Sequence, residues 1–260
     1  MASMEYDDAA AERLEAVYLG PDVVAQRQWT MAQLAISAGE SVIDIGSGPG
    51  FLAADLAAAT GPDGRVLGVD LSPQMVARAT ARRTADWLDY QVADATQLPC
   101  DDDSFDVMVS TQVAEYVPDV TAFCAEAARV MKPGGRGMII ATDWDAIVWH
   151  SEDPDRMARV MQAFAPHCDD PRLPRTLGRQ LRAAGLTIAR VVYYPIINTT
   201  RSAGCYSRMI QPFVAAYIKG QGSLPEAEVD AWMAEQEALD DAGAYFFATG
   251  RFCFQVTKPA

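Results

Sequence analysis

Residues 41–50 read Ser-Val-Ile-Asp-Ile-Gly-Ser-Gly-Pro-Gly, and this stretch decides the fold. Val42, Ile43 and Ile45 form the apolar body of a buried strand, and Phe51-Leu52-Ala53-Ala54-Asp55-Leu56 begins a helical pattern. Between them, Gly46, Gly48 and Gly50 allow positive φ and clear side chains from a surface where a ligand approaches the backbone. The dinucleotide fingerprint G-x-G-x-x-G requires its third glycine at position 51, which is Phe51 here; the third glycine comes one place early. Asp44, two residues before the first glycine, would repel an incoming pyrophosphate. It suits a ligand that carries an amine.

The pattern repeats over the next eighty residues. Arg65-Val66-Leu67-Gly68-Val69-Asp70 is a second buried strand, and an acid at its tip is placed to accept both hydroxyls of a ribose. Ser72-Pro73 then caps a helix with proline in the first turn. A third strand, Leu88 to Val92, ends in Ala93-Asp94-Ala95, and a fourth runs from Phe105 to Ser110. A helix from Val120 to Met131 leads through Lys132-Pro133-Gly134-Gly135 into the strand Gly137–Thr142.

This series resembles the class I S-adenosylmethionine (SAM)-dependent methyltransferases, nearest to their ubiquinone/menaquinone-biosynthesis-like small-molecule branch. The matching pieces are the Asp44–Gly50 loop, Asp70-Leu71-Ser72, Asp94-Ala95 with Leu98-Pro99, Ser104-Phe105-Asp106, and Lys132-Pro133-Gly134-Gly135. The resemblance covers residues 38–145. It implies an α/β Rossmann-like sheet of seven strands, mostly parallel, with an antiparallel final strand, and SAM as cofactor. It also implies roles for individual residues. Asp44 and the loop of Gly46, Ser47, Gly48 and Gly50 would hold the cofactor's ammonium, and Asp70 with Leu71 its ribose. Asp94 and Ala95 would meet its adenine, and Thr111 and Gln112 would stand where cofactor and substrate meet. On the N-terminal helices, Tyr18 and Arg27 would close over the methionine end, with Arg27 meeting its carboxylate.

The rest of the chain is organised around that core. Residues 1–37 read as helices, Asp8 to Leu19 and then Val23 to Ile36 after Pro21. Residues 38–195 with 244–260 form the cofactor-binding domain, including helices near Asp155–Phe164 and Thr176–Ala184 and strands Thr187–Tyr194 and Tyr245–Lys258. In the family those last two strands pair across a short connection; here residues 196–243 intervene as a helical cap before the last strand. A connection this long carries its own structure and is often a functional lid. Tyr206, Met209, Ile210, Phe213 and Tyr217 give one of its helices an apolar face, either core packing or pocket wall.

Composition narrows the class. The 260 residues are 50% hydrophobic with a net charge of −14, enough for one sizeable core and wrong for a nucleic-acid partner. Basic residues gather at Arg172–Arg182, Arg201 and Arg208, read as solvated faces or as a local anionic substrate site. No apolar run spans a bilayer, and the acidic start Met1–Asp8 lacks a signal peptide's pattern. Five cysteines without a C-x-x-C pair fit reduced thiols, so a cytoplasmic protein with no metal site and no membrane partner is expected. A homodimer stays open. Cys100 precedes the fourth strand and reads as core.

The segment Thr142–His150 leaves the fifth strand at the sheet edge where ligands bind in open α/β folds. Asp143, Trp144, Trp149 and, from the cap, Tyr206 are candidate substrate contacts, with aromatic walls for a flat or cationic acceptor. His150 is the candidate general base, against the alternative that a histidine among tryptophans is simply packed. The expected function is methyl transfer to O, N or C of a small metabolite. The alternatives are a nucleic-acid or protein methyltransferase, or a SAM- or nucleotide-binding module without turnover. An arsenite acceptor would need clustered cysteines, and the five are scattered.

Overall fold

Val42, Ile43, Asp44 and Ile45 of β1 (Ser41–Ile45) are all buried, as a central parallel strand covered on both faces requires. The computed structural model describes residues 8–260, with side chains from residue 11 onward. The acidic stretch 1–7 lies outside the described residues. Two helices, α1 (Asp8–Leu19) and α2 (Pro21–Leu34), lead in. Then come α3 (Phe51–Thr60), β2 (Arg65–Asp70), α4 (Pro73–Ala81), β3 (Leu88–Val92), β4 (Phe105–Thr111), α5 (Val120–Val130) and β5 (Met131–Thr142). The helix starts are encoded locally. The Ser72 hydroxyl accepts from Met75 N–H at the start of α4, and the Asp119 carboxylate accepts from Ala122 N–H at the start of α5.

The second half supplies β6 (Val148–Trp149), α6 (Pro154–Phe164), α7 (Pro174–Ala183), β7 (Thr187–Asn198), α8 (Tyr206–Gln221), α9 (Glu226–Asp241) and β8 (Phe247–Thr257). The sheet order is β3-β2-β1-β4-β5-β8-β7, with β1 to β5 parallel and β8 antiparallel between β5 and β7. This is the Rossmann-like architecture expected, with one strand more. The two-residue β6 pairs with Phe247 and Ala248 of β8, continuing the line of β5, and is too short for any periodicity to announce.

Two boundaries move by four residues or more. β5 begins at Met131 rather than Gly137, because Met131 pairs with Phe105 before a register shift, and Gly134 takes φ of 78° within the added segment. β7 runs past Pro195 to Asn198. Only one side of β7 is paired, to β8, and a proline without an N–H is tolerated on such an edge.

Three apolar clusters form the interior. One lies under α5 and α7, around Ile43, Ile45, Phe123 and Leu177, with Cys100 partly buried against it. Another lies under α2 and α3, around Val42, Leu56, Val107 and Ile140. The third joins α6, α8 and α9 to the ends of β6, β7 and β8, through Trp149, Phe164, Ile196, Val214, Trp232 and Phe247. α8 and α9, within the expected cap 196–243, complete a core begun by β6, β7 and β8.

Candidate active site

The glycine loop wraps the end of β2. Gly46 and Ser47 donate N–H groups to Val69 O at 2.7 and 2.8 Å, and Gly48 N–H reaches Asp70 Oδ2 at 2.8 Å. Gly46 takes φ of 77°, and a Cβ there would run into Val113. Gly50 takes φ of 84°, with Tyr90 Oη 2.5 Å from where a Cβ would stand. Glycine is required at both places by backbone and by space.

Asp44 sits at the base of this loop, 2% exposed, with Oδ2 buried and unpartnered. Burial, helped by the negative charge of Asp70, raises its carboxyl to about 7. Ser47 Oγ and Thr111 Oγ1 are likewise buried without partners. All three residues line one cavity with Tyr18, Gln26, Arg27, Thr30, Phe51 and Gln112. Gln112 holds φ of 56°, an uncommon conformation for a side-chain-bearing residue, fixed by its N–H to Ile140 O and its Nε2 to Thr142 Oγ1. The cavity holds about 60 Å³, against roughly 300–1,000 Å³ for ordinary ligand sites. Tyr18 of α1 and Val23, Gln26, Arg27 and Thr30 of α2 sit closed on the loop.

Other expected contacts follow the sheet edge. Asp70 accepts from Gly48 and, at 2.9 Å, from Ser72 N–H, and its carboxylate oxygens keep capacity for further donors. Burial raises its pKa, partly offset by those two bonds. Beside it, Leu71 and Val92 are exposed apolar side chains at 51% and 46%, and Val92 is the register partner of Asp70. Asp94 Oδ1 accepts both N–H and hydroxyl of Thr96, at 2.8 and 2.7 Å, in the Asx turn that also holds Ala95. Arg27 lines the cavity but is engaged: Nε donates to Asp55 Oδ2 at 2.7 Å and Nη1 to Tyr18 O at 3.2 Å.

The segment after β5 departs from the sequence expectation. Asp143 is buried against Arg175, whose Nε and Nη2 donate to it at 2.6 and 3.0 Å, so it pins α7 rather than standing free for a substrate. Trp144 packs edge-on against Phe164 and His167, and Trp149 against Trp232 and Phe247, inside the third cluster. His150 is 42% exposed, 3.8 Å from Glu152, and lines an open surface groove with Met157 and Phe246. That groove shares no lining residue with the loop cavity. Its solvent-facing position follows from β6, which buries Trp149 and turns the next side chain outward.

Sequence reasoning missed a buried polar cluster behind the cavity. Arg251 of β8, the register partner of Thr142, donates from Nη1 to Thr142 Oγ1 at 2.5 Å and from Nε to Gln26 Oε1 at 3.2 Å. Tyr206 was expected at the substrate, and its ring lies 4.9 Å from the Arg251 guanidinium. Glu115 is fully buried and accepts Thr142 N–H at 3.1 Å. Burial pushes its carboxyl up to about 7, against the opposing pull of that bond and of Arg251. A charged residue in an apolar final strand was the available signal for Arg251. For Gln26 and Thr30 it was their spacing with Val23 on one face of α2.

Comparison with known proteins now bears on the site. The methyltransferase domain family matches residues 43–139, from β1 into β5. Over those residues this chain is similar in sequence to the methyltransferase domain. An uncharacterised 37.1 kDa protein of transposon TN4556 from Streptomyces fradiae is 36% identical over 172 residues, 64% of this chain and 48% of that protein. An arsenite methyltransferase of Halobacterium salinarum is 36% identical over 105 residues, 39% of this chain and 27% of its own length. The chain thus spans about half or less of these curated relatives. A putative methyltransferase from Bacillus halodurans has a similar fold, with a TM-score of 0.62 at 20% identity, over 91% of this chain and 100% of that one. Among the described residues no three His, Cys, Asp or Glu side chains come together as metal ligands, and no helix is long and apolar enough to cross a membrane.

Proposed function

We propose that this protein transfers a methyl group from SAM to a small-molecule acceptor. The observation that carries the reading is Asp44, a buried carboxylate with an unpartnered oxygen under a positive-φ glycine loop. An alkylammonium at that place would supply both the missing hydrogen bond and the missing countercharge. The orphaned Ser47 and Thr111 hydroxyls fit the same polar, amino-acid end of a ligand. Asp70, with lone pairs to spare at the tip of β2, suits ribose hydroxyls, and the exposed Leu71 and Val92 suit the faces of a purine, with Asp94 and Ala95 at its edge.

Bound there, the cofactor supplies a methyl group already activated on a sulfonium. The chain's part is then to position and to exclude water. Thr111 and Gln112, at the end of β4, stand between the cavity and Thr142, on the side where an acceptor approaches. The α2 face of Val23, Gln26 and Thr30 closes the cavity above Asp44. The core shared by α8, α9 and β8 supports a cap on the acceptor side, with Tyr206 at its inner face. The excess of acidic residues supports a small metabolite over a nucleic acid. The arsenite acceptor of one relative finds no cysteine cluster here among the described residues.

Titration calorimetry with S-adenosylhomocysteine (SAH) tests the reading. Micromolar-range binding is expected, with a loss of about 1.5–3 kcal/mol in Asp70→Ala. Binding of NAD in place of SAH would overturn it. Release of SAH from SAM on a metabolite panel separates turnover from cofactor binding alone.

A further inference from the structure

Arg251 is 1% exposed, and a buried charge is costly unless it is paired. Its two hydrogen-bond partners among the described residues are both neutral, the Gln26 carbonyl and the Thr142 hydroxyl. Glu115, the acid of the network, accepts the Thr142 N–H and acts on Arg251 through its charge, without an ion-pair contact. The guanidinium is thus a buried cation without a contacting carboxylate.

Its place is as telling as its lack of a contacting carboxylate. Gln26 is a wall of the loop cavity, and Thr142 also accepts from Gln112, another wall. On the opposite side the ring of Tyr206, the first residue of α8, covers the guanidinium. Arg251 therefore stands between the walls of the cofactor cavity and the first residue of α8.

We propose that Arg251 is the acceptor-recognition residue and that the methyl acceptor carries an anionic group, a carboxylate or an ionised acidic hydroxyl, which docks on its guanidinium when Tyr206 swings aside. This rests on the methyl-transfer reading above. A planar guanidinium matches a carboxylate through two parallel N–H donors, and burial strengthens that pairing. The charge also discriminates. An amine acceptor in its cationic form would bring a third positive group beside Arg251 and a sulfonium, whereas an anion neutralises one of them.

The test is calorimetry on the full chain with matched probes: 3,4-dihydroxybenzoate against its amide, and indole-3-acetate against its amide, each with and without saturating SAH. The carboxylate of at least one pair should bind about 10- to 100-fold tighter than its amide. Arg251→Gln should erase that preference, and Arg251→Lys should keep part of it. Equal affinity within both pairs, no binding by any probe, or a preference that survives in Arg251→Gln would overturn the assignment. If Arg251→Gln does not fold, the wild-type and Arg251→Lys comparisons still decide. Failure of wild-type protein to bind SAH removes the methyl-transfer reading instead, and the arms without SAH then judge Arg251 on their own.

Discussion

Binding of SAH should depend on pH through Asp44, and the dependence can be worked out from the site. Its carboxyl is raised to about 7 by burial and by Asp70. An ammonium seated on Asp44 favours only the ionised form, so binding pulls that pKa down and releases a proton wherever the free site was protonated. At pH 7 about half a proton should leave per SAH bound. Above pH 8 the affinity should reach a plateau. Below pH 7 it should fall by up to tenfold per unit, about 1.4 kcal/mol each. Asp70, also raised by burial, acts in the same direction. Calorimetry between pH 5.5 and 8 in two buffers of different ionisation enthalpy reads affinity and proton release together. Asp44→Asn should flatten most of the slope and weaken binding at pH 8 by about 1.5–3 kcal/mol. Glu115, also raised to about 7, is present in both proteins and so cancels from the comparison. A wild-type affinity that is constant over this range, or a slope unchanged in Asp44→Asn, would refute the reasoning.

Four further outcomes follow from particular contacts. Without ligand, the ionisation of buried Asp44 destabilises the fold progressively from its unfolded pKa near 4 up to about 7, so Asp44→Asn should melt above wild type at pH 8 and near it at pH 4. Gly46→Ala places a methyl group against Val113 at φ of 77°, so a loss of about 2 kcal/mol or more is expected in chemical denaturation, with weakened SAH binding. Asp22 Oδ2 accepts from Tyr206 N–H at 2.7 Å and from Asn198 Nδ2 at 2.9 Å, tying α2 to α8; Asp22→Ala should loosen the closed helices and speed SAH dissociation in stopped-flow measurements. His150→Ala should leave SAH affinity, and turnover with any acceptor found, within about threefold of wild type, since removing an essential base costs roughly 10²–10⁴.

The glycine loop, the strand-end acids and the alternating elements from β1 to β5 were legible because each is a local signal: a short apolar run, a turn glycine, a cap. The same is true of α8 and α9, whose apolar faces repeat at helical spacing. What escaped depends on pairings distant in sequence. Arg251 meets Thr142 only because β8 inserts between β5 and β7, and nothing in Gly-Arg-Phe-Cys-Phe announces that register. The Thr142–His150 segment shows the reverse error. Its carboxylates, tryptophans and histidine look like a site when read in a line. In space Asp143 is taken by Arg175, the tryptophans complete a core, and β6 turns His150 outward. Density of chemical side chains along a segment says little about which of them converge.

The central claim is that the cavity under the glycine loop takes the amino-acid end of SAM. A crystal structure of the SAH complex tests it most directly. The account predicts the ligand's ammonium within hydrogen-bond distance of Asp44 Oδ2, its ribose hydroxyls on Asp70, its purine between Leu71 and Val92, and α2 displaced from its closed position. SAH lying elsewhere, or lying in the loop with Asp44 still unpartnered, would contradict it.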